Sequence, residues 1–201
     1  MWQIQNYVIN NFGATTSVNN LCDYLEKINH RRPSKHTVYS YIDILVNAKI
    51  LNRCKRFDLK SKKSLKSEEK YYLSDLSFYF ATNADLRINY GPVLENLVYN
   101  YCLNNGYSVS VGRISNLKID FILSKPFNSG YAYLQVCKTI DNGEYDKNGV
   151  STAQEREFKP LEKIKDNYPK MVISLDTLPF NRSGIPEANL IDILLSDKLP
   201  F

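Results

Sequence analysis

No apolar run in this 201-residue sequence approaches the roughly 20 residues that a helix needs to cross a bilayer. Residues 1–10 also lack the basic-then-apolar layout of a secretory signal, so the expected compartment is the cytoplasm. Histidine is scarce: the two present, His30 and His36, fall in one basic segment. With no glycine-framed nucleophile elbow either, a Ser/His or Cys/His hydrolase is set aside. The four cysteines, Cys22, Cys54, Cys102 and Cys137, are widely scattered. Without a CxxC pair or a Cys/His spacing suited to zinc, they read as reduced packing residues. No GxxxxGKS or GxxxxGKT occurs, so nothing cradles nucleotide phosphates in the P-loop manner and the chain alone is not expected to hydrolyse ATP. Internal repeats and long low-complexity tracts are missing as well.

What is there is an ordinary globular mixture, 43% hydrophobic and 23% charged, long enough for one or two compact cores. The charge is unevenly divided. Residues 1–80 hold 13 Lys/Arg against 7 Asp/Glu, whereas residues 81–201 hold 13 against 14. The basic excess therefore belongs to the first part, which points to a polyanion-facing domain or to a lysine-rich solubilising surface.

Helical spacing of Ile4, Tyr7 and Val8, with Asn11/Phe12 one turn on, predicts a first helix over 3–12 that stops at Gly13. A second follows the potential N-cap Ser17 and places Leu21, Cys22, Leu25 and Ile28 on one face. After His30-Arg31-Arg32-Pro33, Ser34 offers another N-cap, and 35–48 puts Val38, Tyr41, Ile42, Leu45 and Val46 at helical spacing. Two short strands around a polar, lysine-rich tip over 60–70 complete the pattern. Three helices and a β-hairpin describe a winged helix, in which the third helix enters the major groove and the hairpin reaches phosphate. The expected DNA contacts are Arg31, Arg32, Lys35, His36 and Ser40, with Thr37 and Tyr41, and the hairpin lysines Lys60, Lys62, Lys63 and Lys66. The tyrosines Tyr39, Tyr41, Tyr71, Tyr72 and Tyr79 suit packing better than base stacking.

A short helix over 74–82 leads into a linker over 83–90. From Gly91 the pattern becomes helix (92–103), strand (107–112), strand (117–123), strand (131–138), helix (153–166), strand (171–175) and a last apolar segment (190–195). The expected class is thus α/β (α+β): a winged-helix, DNA-binding-like domain over 1–82 and a restriction-endonuclease-like α-β-β-β-α-β domain over 83–201.

Metal-dependent phosphodiester cleavage needs clustered carboxylates for Mg²⁺ or Mn²⁺ and a lysine near the attacking water. Glu95 on the opening helix and Asp120 in mid-strand are the candidate metal ligands, with a third group expected within 134–138. The alternatives are a solvated Glu95 and an Asp120 held by backbone or by Arg113 as a structural ion pair. Arg156 and Glu157 read as a surface ion pair or as lining of the same cleft.

Gly91-Pro92-Val93-Leu94-Glu95-Asn96-Leu97-Val98-Tyr99, Gly106-Tyr107, Val111-Gly112-Arg113, Ile119-Asp120-Phe121-Ile122 and Gln135-Val136-Cys137 resemble the C-terminal domain of unknown function attached to many prokaryotic AAA+-type ATPases. Arg156-Glu157-Phe158, Leu161, Ile164, Asp166-Asn167-Tyr168-Pro169-Lys170 and Gly184-Ile185 extend the likeness over most of 35–201. The resemblance implies a winged helix followed by a domain related to the PD-(D/E)XK nucleases, and an ATPase that precedes both. It also exposes departures: Gln135 stands where an active nuclease has Asp or Glu, and Cys137 where it has Lys. An amide binds Mg²⁺ far less well than a carboxylate, and cysteine lacks a fixed positive charge. Lys138 points to the opposite strand face, whereas Lys118, two residues before Asp120, shares its face.

Three functions follow as expectations. The first is a DNA-binding accessory module with a degenerate nuclease-like domain and no required cofactor. The second is an Mg²⁺- or Mn²⁺-dependent DNase using Glu95, Asp120, the Gln135 carbonyl and a relocated Lys118. The third is an interaction module that docks on an ATPase partner.

Overall fold

The computed structural model describes residues 2–59, 61, 63–83, 89–114, 116–125, 130–196 and 199, with the backbone alone at 63–68. The chain divides into two compact units, Met1–Arg56 with Leu65–Asn96, and Phe57–Ser64 with Leu97–Phe201. The sequence division at residue 82 thus falls inside the first unit, which runs on to Asn96. The architecture is mixed α and β, with seven helices and nine strands among the described residues.

The first unit holds α1 (Trp2–Asn10), β1 (Thr15–Thr16), α2 (Val18–Asn29), α3 (Lys35–Asn47), β2 (Leu51–Asp58), β3 (Lys63–Leu73), α4 (Ser77–Thr82) and the start of α5 (Tyr90–Asn104). Both expected N-caps are present: the Ser17 hydroxyl accepts the Asn20 amide, and the Ser34 hydroxyl accepts the Thr37 amide at 3.0 Å. Each satisfies one of the N–H groups a helix start leaves open. Of the residues their spacing marks, the helices fully enclose Val8, Leu21, Val38 and Ile42, whereas Ile28 in the last turn of α2 is 45% exposed. Burial of each such side chain stabilises by about 1.5–3 kcal/mol.

The strand order in this unit is β1-β3-β2, with Thr15 opposite Lys70 and Thr16 opposite Glu69 in an antiparallel pair. β1 has no signal in the sequence beyond two β-branched residues. It forms because Gly13, at φ +72°, turns the chain after α1 and donates its amide to the Tyr71 carbonyl. A Cβ at Gly13 would lie 3.3 Å from that of Pro92, so the turn also needs the missing side chain.

The second unit contains β4 (Ser108–Ile114), β5 (Leu117–Ser124), β6 (Tyr131–Val136), α6 (Thr152–Glu162), β7 (Lys170–Ser174), β8 (Asn181–Arg182), β9 (Ile185–Asn189) and α7 (Leu190–Ser196). Its strands run in the order β4-β5-β6-β7-β9-β8. The first three pair antiparallel, whereas β6 with β7 and β7 with β9 are parallel. The β6–α6–β7 crossover packs Phe158 and Leu161 onto Ile119, Ile122, Tyr133 and Val172, all at most 3% exposed. Phe57 and Leu59, which belong to this unit and close the stretch read as the first hairpin strand, pack against this same core.

Several boundaries differ from the sequence reading for local reasons. α6 ends at Glu162, just after Pro160, which cannot donate to the helix. Asp166 instead accepts from the Tyr133 hydroxyl at 2.7 Å and pairs with Lys170 at 3.2 Å. The apolar segment after residue 190 is the helix α7, and the short β8–β9 pair before it is additional. β3 begins at Lys63, inside the stretch read as a polar tip.

Candidate functional site

Two regions hold the residues singled out for function, one in each unit. On α3 of the first unit, Val38, Ile42 and Leu45 face inward while Lys35, His36, Tyr39 and Ser40 are exposed, and Arg31 is exposed on the loop before it. This division follows directly from the 3.6-residue period. Arg32 is spoken for by Asp23 and by Glu26 on α2. The Ser40 hydroxyl donates back to the His36 carbonyl at 3.0 Å. Lys60 and Lys62 lie outside the described residues, as do the side chains of Lys63 and Lys66.

Glu95 is neither solvated nor open. Its Oε2 accepts from Lys70 Nζ at 2.7 Å and from the Tyr72 hydroxyl at 2.8 Å, all within the first unit. One residue on, Asn96 is fully buried and clips the end of β3 with two bonds, accepting the Leu73 amide at 2.7 Å and donating to the Leu73 carbonyl at 2.9 Å. Asn96 entered the sequence reading only as part of a motif, and nothing in its spacing announces this role.

In the second unit the β5–β6 ladder ends at the Phe121–Leu134 pair, while β6 continues alongside β7 through Val136–Ile173. The strands fork there, and side chains replace the missing ladder bonds. Gln135 Oε1 accepts the Asp120 amide at 2.7 Å, and Asp120 Oδ2 accepts the Val136 amide at 2.9 Å. Gln135 Nε2 donates to Glu157 Oε2 at 3.0 Å, and Arg156 Nε donates to Glu157 Oε1 at 2.6 Å. Glu157 is not part of a surface pair, since its side chain is 5% exposed, while that of Arg156 is 69% exposed. Buried polar groups must find partners, and here each supplies another's.

The fork contains a register shift. Ser110 pairs with Ile122 and Gly112 with Ile119, so β5 holds one residue more than β4 at Asp120–Phe121. Both isoleucines consequently join one core. A Cβ at Gly112 would lie 2.8–2.9 Å from them, which is why glycine occupies that position. Lys118 is exposed opposite Arg113 and takes no part in the hydrogen-bonded cluster.

Cys137 is 4% exposed, and its amide continues the ladder to the Ile173 carbonyl. Burial, followed by the nearby charges of Glu157 and Asp176, pushes its thiol well above the ordinary range. It is a neutral packing group, neither a nucleophile nor a substitute for lysine. Among the described residues no three His, Cys, Asp or Glu side chains gather as a metal site. Two carboxylates joined by an amide and capped by a guanidinium are a closed hydrogen-bond network.

Residues 1–87 match a family described as a domain of unknown function, DUF8612. An uncharacterized protein of Haemophilus influenzae is 33% identical over 141 residues, a stretch that is 70% of this chain and 32% of that protein. The chain thus spans about one third of the length of that relative. No solved structure matches. Among the described residues no helix is long and apolar enough to cross a membrane.

Beside the carboxyl ends of β7 and β9 lies a groove of about 460 Å³ whose lining includes Asp176, Leu178, Glu187, Asn189 and Asp192. Glu187 is 6% exposed and accepts a short hydrogen bond from the Ser174 hydroxyl. Burial and then the Asp176 charge raise its carboxyl above the ordinary glutamate value, outweighing the Ser174 bond. A raised acid favours the protonated folded state, so its stabilising contribution is present in acid below the ordinary value and lost as pH rises through the folded one. Glu187→Gln is therefore expected to raise the melting temperature at neutral pH, with the gain vanishing in acid. A pH series of thermal melts checks both the sign and the window.

Proposed function

We propose that this chain is a DNA-binding accessory module: the first unit is a winged helix that engages duplex DNA through α3, and the second keeps a nuclease-type frame without cutting. The observation that carries the DNA reading is the exposed row Lys35, His36, Tyr39 and Ser40 beside Arg31, on a helix whose opposite face anchors the core. The element order α1-β1-α2-α3-β2-β3 and the basic excess of residues 1–80 support it. The non-cutting half is supported by the closed Asp120–Gln135–Glu157–Arg156 network. Such contacts recognise phosphate and position the duplex, giving binding without strong sequence preference.

Fluorescence anisotropy with a short duplex over a salt series tests the reading. Affinity should fall steeply with salt, and the double variant Arg31→Ala/Lys35→Ala should bind about 10-fold more weakly with a log–log salt slope smaller by about 2. Plasmid should stay intact in Mg²⁺ and Mn²⁺. Absence of duplex binding at low salt, or cleavage that Asp120→Asn abolishes, would overturn the corresponding half.

A second reading has its own support. Two thirds of the Haemophilus influenzae relative lies outside the matched stretch, and the sequence resemblance places an ATPase before a module of this kind. A chain that ignores duplex at every salt concentration yet binds such an ATPase would be an interaction module.

A further inference from the structure

We propose that Arg156 and Gln135 together take the place that a divalent cation holds in a cutting site of this frame, so that the strand fork is sealed by the chain's own donors. The fork brings two carboxylates, Asp120 and Glu157, to one side-chain network. In a metal-dependent site their charge is offset by the ion. Here both oxygens of Glu157 are occupied, one by Arg156 Nε at 2.6 Å and the other by Gln135 Nε2 at 3.0 Å. Oδ2 of Asp120 is occupied by the Val136 amide at 2.9 Å. An entering cation would have to share these oxygens with the N–H donors already on them, two of the oxygens lying on a side chain 5% exposed and beside the positive guanidinium of Arg156. The guanidinium supplies the fixed positive charge from the rim, and the Asp120 charge acts on it as well. The Gln135 amide is what permits this arrangement. It accepts from the Asp120 backbone and donates to Glu157 at once, which a carboxylate cannot do.

The chain is therefore metal-indifferent by design of its donor set, and one substitution reverses that. Gln135→Glu removes the donor to Glu157 and sets a third carboxylate beside it, a combination suited to Mg²⁺ or Mn²⁺. This rests on the non-cutting half of the functional reading, so metal response rather than cleavage is the readout. The experiment compares thermal melts of the full chain in EDTA and in millimolar Mn²⁺. Wild type should melt at the same temperature in both. Gln135→Glu should melt roughly 5 °C lower in EDTA and recover most of that loss in Mn²⁺. Arg156→Gln, which changes only an exposed side chain, should gain a Mn²⁺-dependent rise that wild type lacks. A Mn²⁺ rise in wild type that Asp120→Asn removes would overturn the inference, as would an Arg156→Gln protein as unresponsive as wild type. EDTA-resistant DNA cleavage by an unresponsive wild type would instead overturn the functional reading alone.

Discussion

Asn96→Leu should destabilise the first unit by about 2–5 kcal/mol, because it removes an acceptor of the Leu73 amide and a donor to the Leu73 carbonyl in a buried site. Leu73 and Asn96 are fully buried, and their two reciprocal bonds of 2.7 and 2.9 Å tie the end of β3 to α5. The asymmetry of hydrogen-bond energetics decides the magnitude: a made bond contributes about 1 kcal/mol net, whereas an unmade buried one costs about 1–3. Leucine shares the branching of asparagine, but its methyls cannot sit 2.7 and 2.9 Å from the Leu73 N and O, so the lost bonds are accompanied by local overpacking. Hydrogen exchange gives the sharpest readout, since the Leu73 amide should lose protection more than its neighbours do. Chemical denaturation followed by circular dichroism gives the overall loss. A variant as stable as wild type with Leu73 still protected would show that the clip is dispensable. Asn96→Asp is a useful companion: it keeps the acceptor but loses the donor and adds charge, and it should be no better tolerated than leucine.

Glu157→Ala is the second large effect, with an expected loss of about 3–5 kcal/mol in the second unit. The substitution removes the acceptor of Gln135 Nε2, which lies in a side chain 4% exposed, and the partner of Arg156. It also leaves a void next to Cys137 and Phe158, which are buried. Glu157→Gln keeps the volume and an oxygen able to accept from Gln135, so it should lose less than half as much. The ratio between the two variants separates the hydrogen-bonded role from a purely charged one. If glutamine is as damaging as alanine, the charge facing Arg156 dominates; if both are silent, the network does not hold the fork. Arg156→Ala separates the same two cases: it should be mild if the hydrogen bond to Gln135 dominates, and damaging if the charge does, because it leaves the carboxylate of Glu157, 5% exposed, without its cation.

The candidate sites were legible to different depths. Ser17 and Ser34 were readable as caps because capping is a local contest between a hydroxyl and the amides within one turn. The exposed face of α3 was readable for the same reason, since helical period alone sorts Val38 and Ile42 from Lys35 and Ser40. Gln135 and Cys137 could be flagged as departures from a cutting motif, but not assigned a purpose. Glu157 was open between surface and cleft because i to i+1 pairs carry no periodic signal. The bulge at Asp120–Phe121 was invisible: it arises from the pairing of β5 with Gly112 of β4, a meeting of two strands rather than a local pattern.

The sequence by itself determined the mixed class, the two-part pattern of helices and strands, and the caps. These depend on side-chain identity and on periods of two and 3.6 residues, which act over a few positions. Tertiary structure alone decided that Glu95 is tied to Lys70 and Tyr72, that Asn96 ends β3, and that Asp120, Gln135, Glu157 and Arg156 form one network. The physical reason is that these are obligations of buried polar groups. Such a group must be paired wherever the fold happens to enclose it, and its partner, 22 residues distant for Gln135 and Glu157 and 23 for Leu73 and Asn96, is chosen by the meeting of elements rather than by any local pattern.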